Sequence, residues 1–241
     1  MESSFLKDLV QYAVAISENK TYEINGETYS EKQLHRIPSY TPRPQKLCVT
    51  GLDSVVKIIK AEKRKMNLPI FIRVDNATLV TVFTALDLDM ERDVLCCASC
   101  DVPGFREGFR EYNKAIIEIR SKFIPCDDVD YLLDLLSRIN KETGVTTSDN
   151  GVSQTVEART GVSLKQMVNI RPRVSLAPYR TFLEVEQPVS EFLLRLNDDG
   201  EVGLFEADGG MWQQEAKVNI ASYFERDLAN EIADGEVVVM M

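Results

Sequence analysis

Histidine, tryptophan and long apolar runs are scarce in this chain of 241 residues, which contains a single His, His35, and a single Trp, Trp212. A Ser–His or Cys–His catalytic pair would have to use His35, yet no G-x-S-x-G nucleophile motif is present. The phosphate-binding patterns G-x-x-x-x-G-K-[ST] and G-x-G-x-x-G are also missing. We therefore predict no catalytic residue and no cofactor, and we favour a function other than catalysis.

Membrane and export signals are missing as well. No apolar run approaches the ~18 residues of a membrane-spanning helix. The first residues, MESSFLKDLVQYAVAIS, have neither a basic start nor a small-residue cleavage site, so no signal peptide is predicted. The odd count of five cysteines argues against a secreted disulfide framework. The sequence predicts a cytoplasmic protein without a membrane partner.

Positive charge is in deficit, with a formal net charge of −10 and a pI near 4.8. Direct binding to duplex DNA is disfavoured, because neutralising phosphates requires clustered Lys and Arg. An acidic balance instead favours solubility or a partner with a basic surface.

Short alternating apolar segments occur in runs, with amphipathic helical patterns around them. Fourfold spacing of Ala216, Ile220, Phe224 and Leu228 predicts a one-faced helix near the carboxyl end. Runs of strands without strict βα alternation predict an α+β fold. We expect a mostly antiparallel sheet with a C-terminal β-meander and packed helices. Residues 1–241 are assigned to one domain, with 144–151 as the candidate internal boundary.

Several local patterns make predictions of their own. Asn25-Gly26 between β-prone arms predicts a hairpin, and three prolines in IPSYTPRP predict an extended connector. Period-two alternation predicts strands at 112–123 and 179–187. The run TTSDNG, with Ser148, Asp149, Asn150 and Gly151, is predicted to be a boundary or a loop. The apolar tail EVVVMM is expected either to pair as an edge strand or to pack on a neighbouring subunit.

The cluster Cys96-Cys97-x-x-Cys100 invites a zinc interpretation. A structural zinc site normally draws four ligands from two spaced pairs, and Cys48, Cys126 and His35 supply no second pair. Reduced core cysteines are therefore favoured, and no metal ligand is predicted.

Arginines on the predicted meander form the first candidate ligand site. Arg171 and Arg173 share one strand face, and Arg180 follows them. These arginines could hold a small anionic ligand. Ion pairing across strands, with Glu184 and Glu186 on the next strand, is the favoured alternative.

The turn from Glu206 to Gly210 is the second candidate site. It precedes the helix that begins near Trp212, so its free N–H groups could receive an anion. The carboxylates of Glu206 and Asp208 oppose an anion, and a tight strand-to-helix turn built on Gly209 and Gly210 is favoured.

The same carboxylates also support a weaker metal hypothesis. Glu206, Asp208 and Glu215, followed by Lys217, faintly match the pattern of metal-dependent nucleases. Glu215 and Lys217 lie two apart in a predicted helix, however, and do not share a face.

Three segments carry a resemblance: SDNGVSQTVEARTGV, VSLAPYRTFLEVEQPVSEFLLRL and LFEADGGMW. Residues 148–228 resemble an uncharacterised family of tailed-phage and prophage proteins. The resemblance implies a phage or prophage origin and action inside an infected or lysogenic bacterium. It implies no mechanism and assigns no functional residue.

The leading hypothesis is a phage-encoded accessory protein that acts by binding, as a homo-oligomer. Its target would be a host or phage protein, including a defence protein, or a small anionic ligand. The alternatives are a metal-dependent enzyme acting on nucleic acid or nucleotide and a structural component of the virion or its assembly.

Overall fold

The computed structural model describes residues 2–17, 21–24, 27–30, 43–87, 90–139, 145–149, 154–160, 164–197 and 199–241. The chain forms two compact units, Met1–Pro42 and Arg43–Met241. The boundary between the units falls between Pro42 and Arg43, within the proline-rich sequence, whereas residues on both sides of 144–151 belong to the second unit. Folding of residues 1–241 as one domain stays a prediction.

The first unit contains a helix and a hairpin. Helix α1 spans Glu2–Ser17, and strands β1 (Thr21–Ile24) and β2 (Glu27–Ser30) pair antiparallel. Ile24 lies opposite Glu27, so a two-residue connection joins the strands. The predicted hairpin is confirmed by the pairing of β1 with β2. Asn25 and Gly26 themselves, and most of the predicted connector, lie outside the described residues.

The second unit contains the remaining elements. Its helices are α2 (Leu52–Glu62), α3 (Tyr112–Lys122), α4 (Asp127–Ile139), α5 (Met211–Asp227) and α6 (Ala229–Ala233). Its strands are β3 (Leu47–Val49), β4 (Ile70–Asn76), β5 (Leu79–Phe83), β6 (Val94–Ser99), β7 (Gly108–Arg110), β8 (Val145–Asp149), β9 (Gln154–Thr160), β10 (Leu164–Ile170), β11 (Arg173–Leu176), β12 (Ser190–Leu196), β13 (Val202–Glu206) and β14 (Val237–Met240).

A five-stranded sheet in the order β14-β4-β5-β6-β3 supports the first hydrophobic core. The central pairs are antiparallel, and the outer strands β14 and β3 run parallel to their neighbours. Helices α2 and α5 bury their apolar stripes in this core, including Ile59, Ile220 and Phe224. The fourfold stripe predicted for α5 is confirmed, because all four of its members are fully buried.

A four-stranded antiparallel sheet in the order β11-β12-β13-β7 supports the second core. Helices α3 and α4 pack with it, and Phe105, Phe123 and Phe192 meet edge to face. Strands β8, β9 and β10 form a separate three-stranded antiparallel sheet. The predicted α+β class with mostly antiparallel sheet is therefore confirmed.

Three predicted local structures are wrong. Of residues 112–123, predicted as a strand, Tyr112–Lys122 form helix α3. Ala115 and Ile119, four residues apart, are its buried pair, whereas Ile117 of the apparent alternation is 66% exposed. Ser148 and Asp149 pair with β9 as part of strand β8 instead of forming a loop. Residues 179–187 form no strand, because side-chain hydrogen bonds hold them as a loop, as described below.

The carboxyl-terminal tail takes the first of its two predicted forms. Strand β14 pairs with β4, and Val237 is buried in the first core. The apolar character of the tail is therefore explained in large part within one chain. No described helix is both long enough and apolar enough to cross a bilayer.

Candidate functional site

The candidate site is built around Arg180, in the loop between β11 and β12. Gln187 fixes this loop: its Oε1 accepts hydrogen bonds from the backbone N–H groups of Arg180 (3.0 Å) and Thr181 (3.1 Å). Its Nε2 donates to the carbonyl of Phe182 at 2.9 Å. The loop has no strand neighbour to satisfy these groups, so one amide side chain does so.

The Arg180 guanidinium is buried, with 6% of the residue exposed. Nη1 donates to Glu206 Oε1 at 2.5 Å, and Nη2 donates to Ser190 Oγ and to the carbonyl of Pro188. The Trp212 ring centroid lies 4.1 Å from the guanidinium carbon, within cation–π range. Among the described atoms, Nε has no hydrogen-bond partner. Burial lowers the Arg180 pKa, although nearby carboxylates oppose that shift.

Asp208 lies in the turn immediately before helix α5. Its Oδ1 accepts a hydrogen bond from Gly210 N at 2.9 Å, and its Oδ2 accepts one from Ser190 Oγ. Burial disfavours the ionised form, but the bonds from Ser190 and from the backbone of Gly210 and Trp212 outweigh it and lower the Asp208 pKa. The chain's own carboxylate thus fills the position that an anion would take.

Gly209 and Gly210 make this turn possible. Their φ angles of 66° and 80° lie in the left-handed region that residues with a Cβ rarely adopt. The predicted tight strand-to-helix turn is confirmed.

The pKa of Glu206 is affected in opposite directions by its surroundings. Burial raises its pKa, the Arg180 guanidinium lowers it, and the negative charges of Asp208 and Glu107 raise it further, with a net upward shift. Glu107 also accepts the backbone N–H of Glu206 at 2.7 Å. We call Arg180, Ser190, Glu206, Asp208 and Trp212 the Arg180 cluster; one cation here faces more than one carboxylate.

The other predicted arginines lie elsewhere and are already paired. Arg171 bonds Asp128 at 2.9 Å and stacks on the Tyr131 ring at 3.6 Å. Arg173 bonds Glu191, on the neighbouring strand, at 2.9 Å. Arg173 therefore forms the expected kind of cross-strand ion pair, but with Glu191 and not with the predicted Glu184 or Glu186. The structure therefore brings together Arg180 and the Glu206–Trp212 residues, but leaves Arg171 and Arg173 outside their cluster.

Glu184 has a different partner from the one predicted. Because the segment is a loop, Glu184 and Glu186 share no strand face with the arginines. Glu184 Oε1 instead accepts the backbone N–H of Leu52 at 2.9 Å, at the beginning of α2. Glu184 also lines an open groove of about 310 Å³ that runs past Asn219 and Arg226 on α5.

The described residues contain no group of three or more His, Cys, Asp or Glu side chains placed to hold a metal ion. Glu206 already accepts a hydrogen bond from Arg180, and Asp208 accepts hydrogen bonds from Ser190 and from the backbone of Gly210. Of the cysteines, Cys96 is fully buried in the first core, which confirms a core role for it, while Cys126 is exposed. His35 lies outside the described residues.

Sequence reasoning missed Ser190 and Gln187. Ser190 lies on the buried face of β12, the same face as Phe192, Leu194 and Leu196. A lone hydroxyl among alternating apolar residues is a signal that could have identified it. Gln187 carried no such signal, because its partners are backbone groups of a loop whose path was not predicted.

Comparison of the chain with protein-family models, with curated proteins and with solved structures gives no significant match. The geometry of the Arg180 cluster therefore carries the functional argument.

Proposed function

We propose that this chain is a phage- or prophage-encoded accessory protein that acts in the bacterial cytoplasm as a homo-oligomer. Its acidic surface binds a basic segment of a partner protein. The phage origin is supported by the resemblance over residues 148–228. The binding role is supported by the surface that surrounds the Arg180 cluster.

The charge balance of that surface is the observation that carries the proposal. Arg180 supplies one positive charge, whereas Glu206, Asp208 and Glu215 all act electrostatically on it, and Glu107 acts on Glu206. The excess is negative. An anionic ligand would meet these carboxylates and would have to displace Asp208 from the start of α5. Complementary charge therefore favours a Lys- or Arg-rich partner.

Exposed apolar residues are close in sequence to the residues of the cluster. Met211, which begins α5 directly after the glycine turn, is 75% exposed, and Val189, next to Ser190, is 57% exposed. Methionine adapts to varied partner shapes because it is unbranched and flexible. An acidic surface with exposed apolar groups suits a basic amphipathic segment.

Oligomerisation is supported by the edge of the five-stranded sheet. Strand β14 is the end strand of that sheet, with Val238 37% exposed and Met241 60% exposed. Such an edge can add a strand from a second copy. Deleting the tail would also remove Val237 from the core, so Val238→Lys is the sharper test. Native mass spectrometry should show an oligomer for the wild type and a monomer for Val238→Lys; unchanged assembly would contradict this part.

The binding surface is tested by Met211→Lys, with Met90→Lys as the matched control, since Met90 is 73% exposed and lies in another part of the unit. Partners would be captured from lysates of infected bacteria and their affinities measured with purified proteins. We expect Met211→Lys to weaken binding at least tenfold by charge repulsion, and Met90→Lys to leave it unchanged. Equal binding by both variants would overturn the proposed surface.

A metal-dependent activity would give a different result. Mg²⁺ or Mn²⁺ would then raise the melting temperature of the wild type, and Asp208→Asn would abolish the increase. That outcome would replace the binding proposal with the enzymatic alternative.

A further inference from the structure

Two thiols face each other on the five-stranded sheet. The parallel register of β3 and β6 places Cys48 directly opposite Cys97. Their Sγ atoms are 3.3 Å apart, with the Cys97 thiol donating to Cys48. Cys48 is exposed, so a reagent in solution can reach the pair, while Cys97 is 9% exposed.

We propose that Cys48 and Cys97 form a reversible disulfide on exposure to a low-molecular-weight disulfide of the glutathione class. The Cys48 thiolate attacks one sulfur of the small disulfide, forming a mixed disulfide and releasing one small thiol. Cys97 then attacks the Cys48 sulfur, breaking the mixed disulfide and releasing the second small thiol. Two electrons and two protons pass from the protein thiols to the oxidant.

The backbone geometry permits this bond. A disulfide needs Cα atoms about 4.4–6.8 Å apart, and neighbouring strands lie about 4.8 Å apart. The sulfurs must approach by roughly 1.2 Å to reach the usual bond length. Strand β3 has three residues and lies at the end of its sheet, so a small shift of β3 and a rotation of the Cys48 side chain can supply this movement.

The other cysteines are less suited to react. Cys100 is only partly exposed, and burial raises the pKa of its thiol. Cys96 is fully buried, and burial raises the pKa of its thiol to about 12, so it remains protonated. The exposed Cys126 lies near the carbonyl of Ser175 on β11, in the other sheet. For Cys48 the hydrogen bond with Cys97, followed by desolvation, raises the pKa, so Cys48 rests as a thiol.

A bond between these residues would tie β3 to the sheet. The cysteines are 49 positions apart, so the cross-link closes a long loop that contains α2, β4 and β5. Closing a long loop restricts the unfolded chain and stabilises the folded one. Oxidation should therefore hold the beginning of the second unit against its sheet.

The test uses full-length protein incubated with oxidised glutathione. Intact-mass analysis should show the loss of two hydrogen atoms, and proteolytic mapping should yield one peptide pair joined at Cys48 and Cys97. The melting temperature should rise by several degrees and return to its initial value after reduction. Cys48→Ser should abolish closure and the temperature shift, while the matched exposed variant Cys126→Ser should retain both.

Three results would overturn the inference. They are a stable glutathione adduct on Cys48 without closure, a disulfide that joins any other pair, and closure that survives Cys48→Ser. The wild-type peptide map alone decides the first two results, so the inference can be overturned without relying on the folding of a variant.

Discussion

The Arg180 cluster and the group around Arg43 both place an arginine among Asp and Glu carboxylates, but in different surroundings. Arg43 Nη1 bonds Asp93 at 3.1 Å and its Nη2 bonds Asp87 at 3.0 Å, with Glu91 as a third carboxylate partner. The Arg43 side chain is 41% exposed, whereas that of Arg180 is 6% exposed. Arg43 thus forms more ion pairs than Arg180, and its side chain is more exposed to solvent.

This difference decides how much each arginine contributes. Water screens the charges around Arg43 and replaces any partner that is lost, so exposed pairs contribute about 0–1 kcal/mol. The Arg180 side chain is buried, so a partner that it loses must be replaced by protein atoms or leaves it unsatisfied. Burial, and not the number of ion pairs, therefore sets the energetic weight of an arginine in this protein.

The largest expected effect follows from removing the buried cation. Arg180→Met leaves Glu206 and Ser190 without their donor and should lower the free energy of unfolding by roughly 3–5 kcal/mol. Urea unfolding followed by far-ultraviolet circular dichroism measures this loss. A loss below about 1 kcal/mol would mean that Arg180 behaves like an exposed arginine.

The two carboxylates of the cluster should respond to acid in opposite directions. The lowered Asp208 pKa means that its ionised form stabilises the fold above the unfolded pKa near 3.8, and that this contribution is lost as pH falls below it. The raised Glu206 pKa means that the folded state gains a proton more readily, so acid stabilises the fold through this residue.

Unfolding measured between pH 3 and 7 for wild type, Asp208→Asn and Glu206→Gln separates these contributions. The stability advantage of the wild type over Asp208→Asn should shrink as pH falls. The free energy of unfolding of the wild type, relative to that of Glu206→Gln, should increase as pH falls. Parallel curves for the two variants would contradict the assigned environments.

A smaller loss of stability is expected at the beginning of α2, where the Glu184 carboxylate accepts a hydrogen bond from one backbone N–H group. A Cβ at Gly51 would lie 2.6 Å from Glu184 Oε1, so Gly51→Ala must displace the carboxylate from Leu52 N. The loss should be about 1 kcal/mol, the typical value of a helix cap. Gly104→Ala, which meets no atom within 4 Å, is the matched control. Equal melting temperatures for the two variants would contradict the capping role.

The smallest effect should come from the exposed arginine. Arg43→Ala should lower the free energy of unfolding by less than about 1 kcal/mol, and added salt should reduce the effect further. Urea unfolding at two salt concentrations tests this. A loss as large as that of Arg180→Met would remove the distinction between the two sites.

Helix α5 and the glycine turn could be predicted from sequence because their determinants are local. Fourfold apolar spacing defines the buried stripe of α5, and paired glycines meet the backbone need of the turn before it. The alternation in residues 112–123 was misleading, since packing buried Ala115 and Ile119 instead of Ile117. Local period is ambiguous wherever tertiary contacts select the buried face.

The cluster itself could be predicted only in part. Arg180 and Glu206 are 26 positions apart, and their contact depends on a loop held by Gln187. Strand register explains another contact: Phe192 lies opposite Glu206, so Ser190 comes to lie beside Asp208. Neither the loop nor the register follows from local pattern, which is why Arg171 and Arg173 were grouped with Arg180 on sequence proximity alone.

The most direct measurement of the binding claim uses Trp212, the only tryptophan in the chain, as a reporter inside the cluster. Its indole N–H signal would be followed by NMR during titration with an oligolysine peptide and, separately, with an oligoaspartate peptide of equal length. The proposed surface predicts a saturable shift with oligolysine and no shift with oligoaspartate. A saturable shift with oligoaspartate alone would contradict the acidic binding surface and restore the anionic-ligand hypothesis.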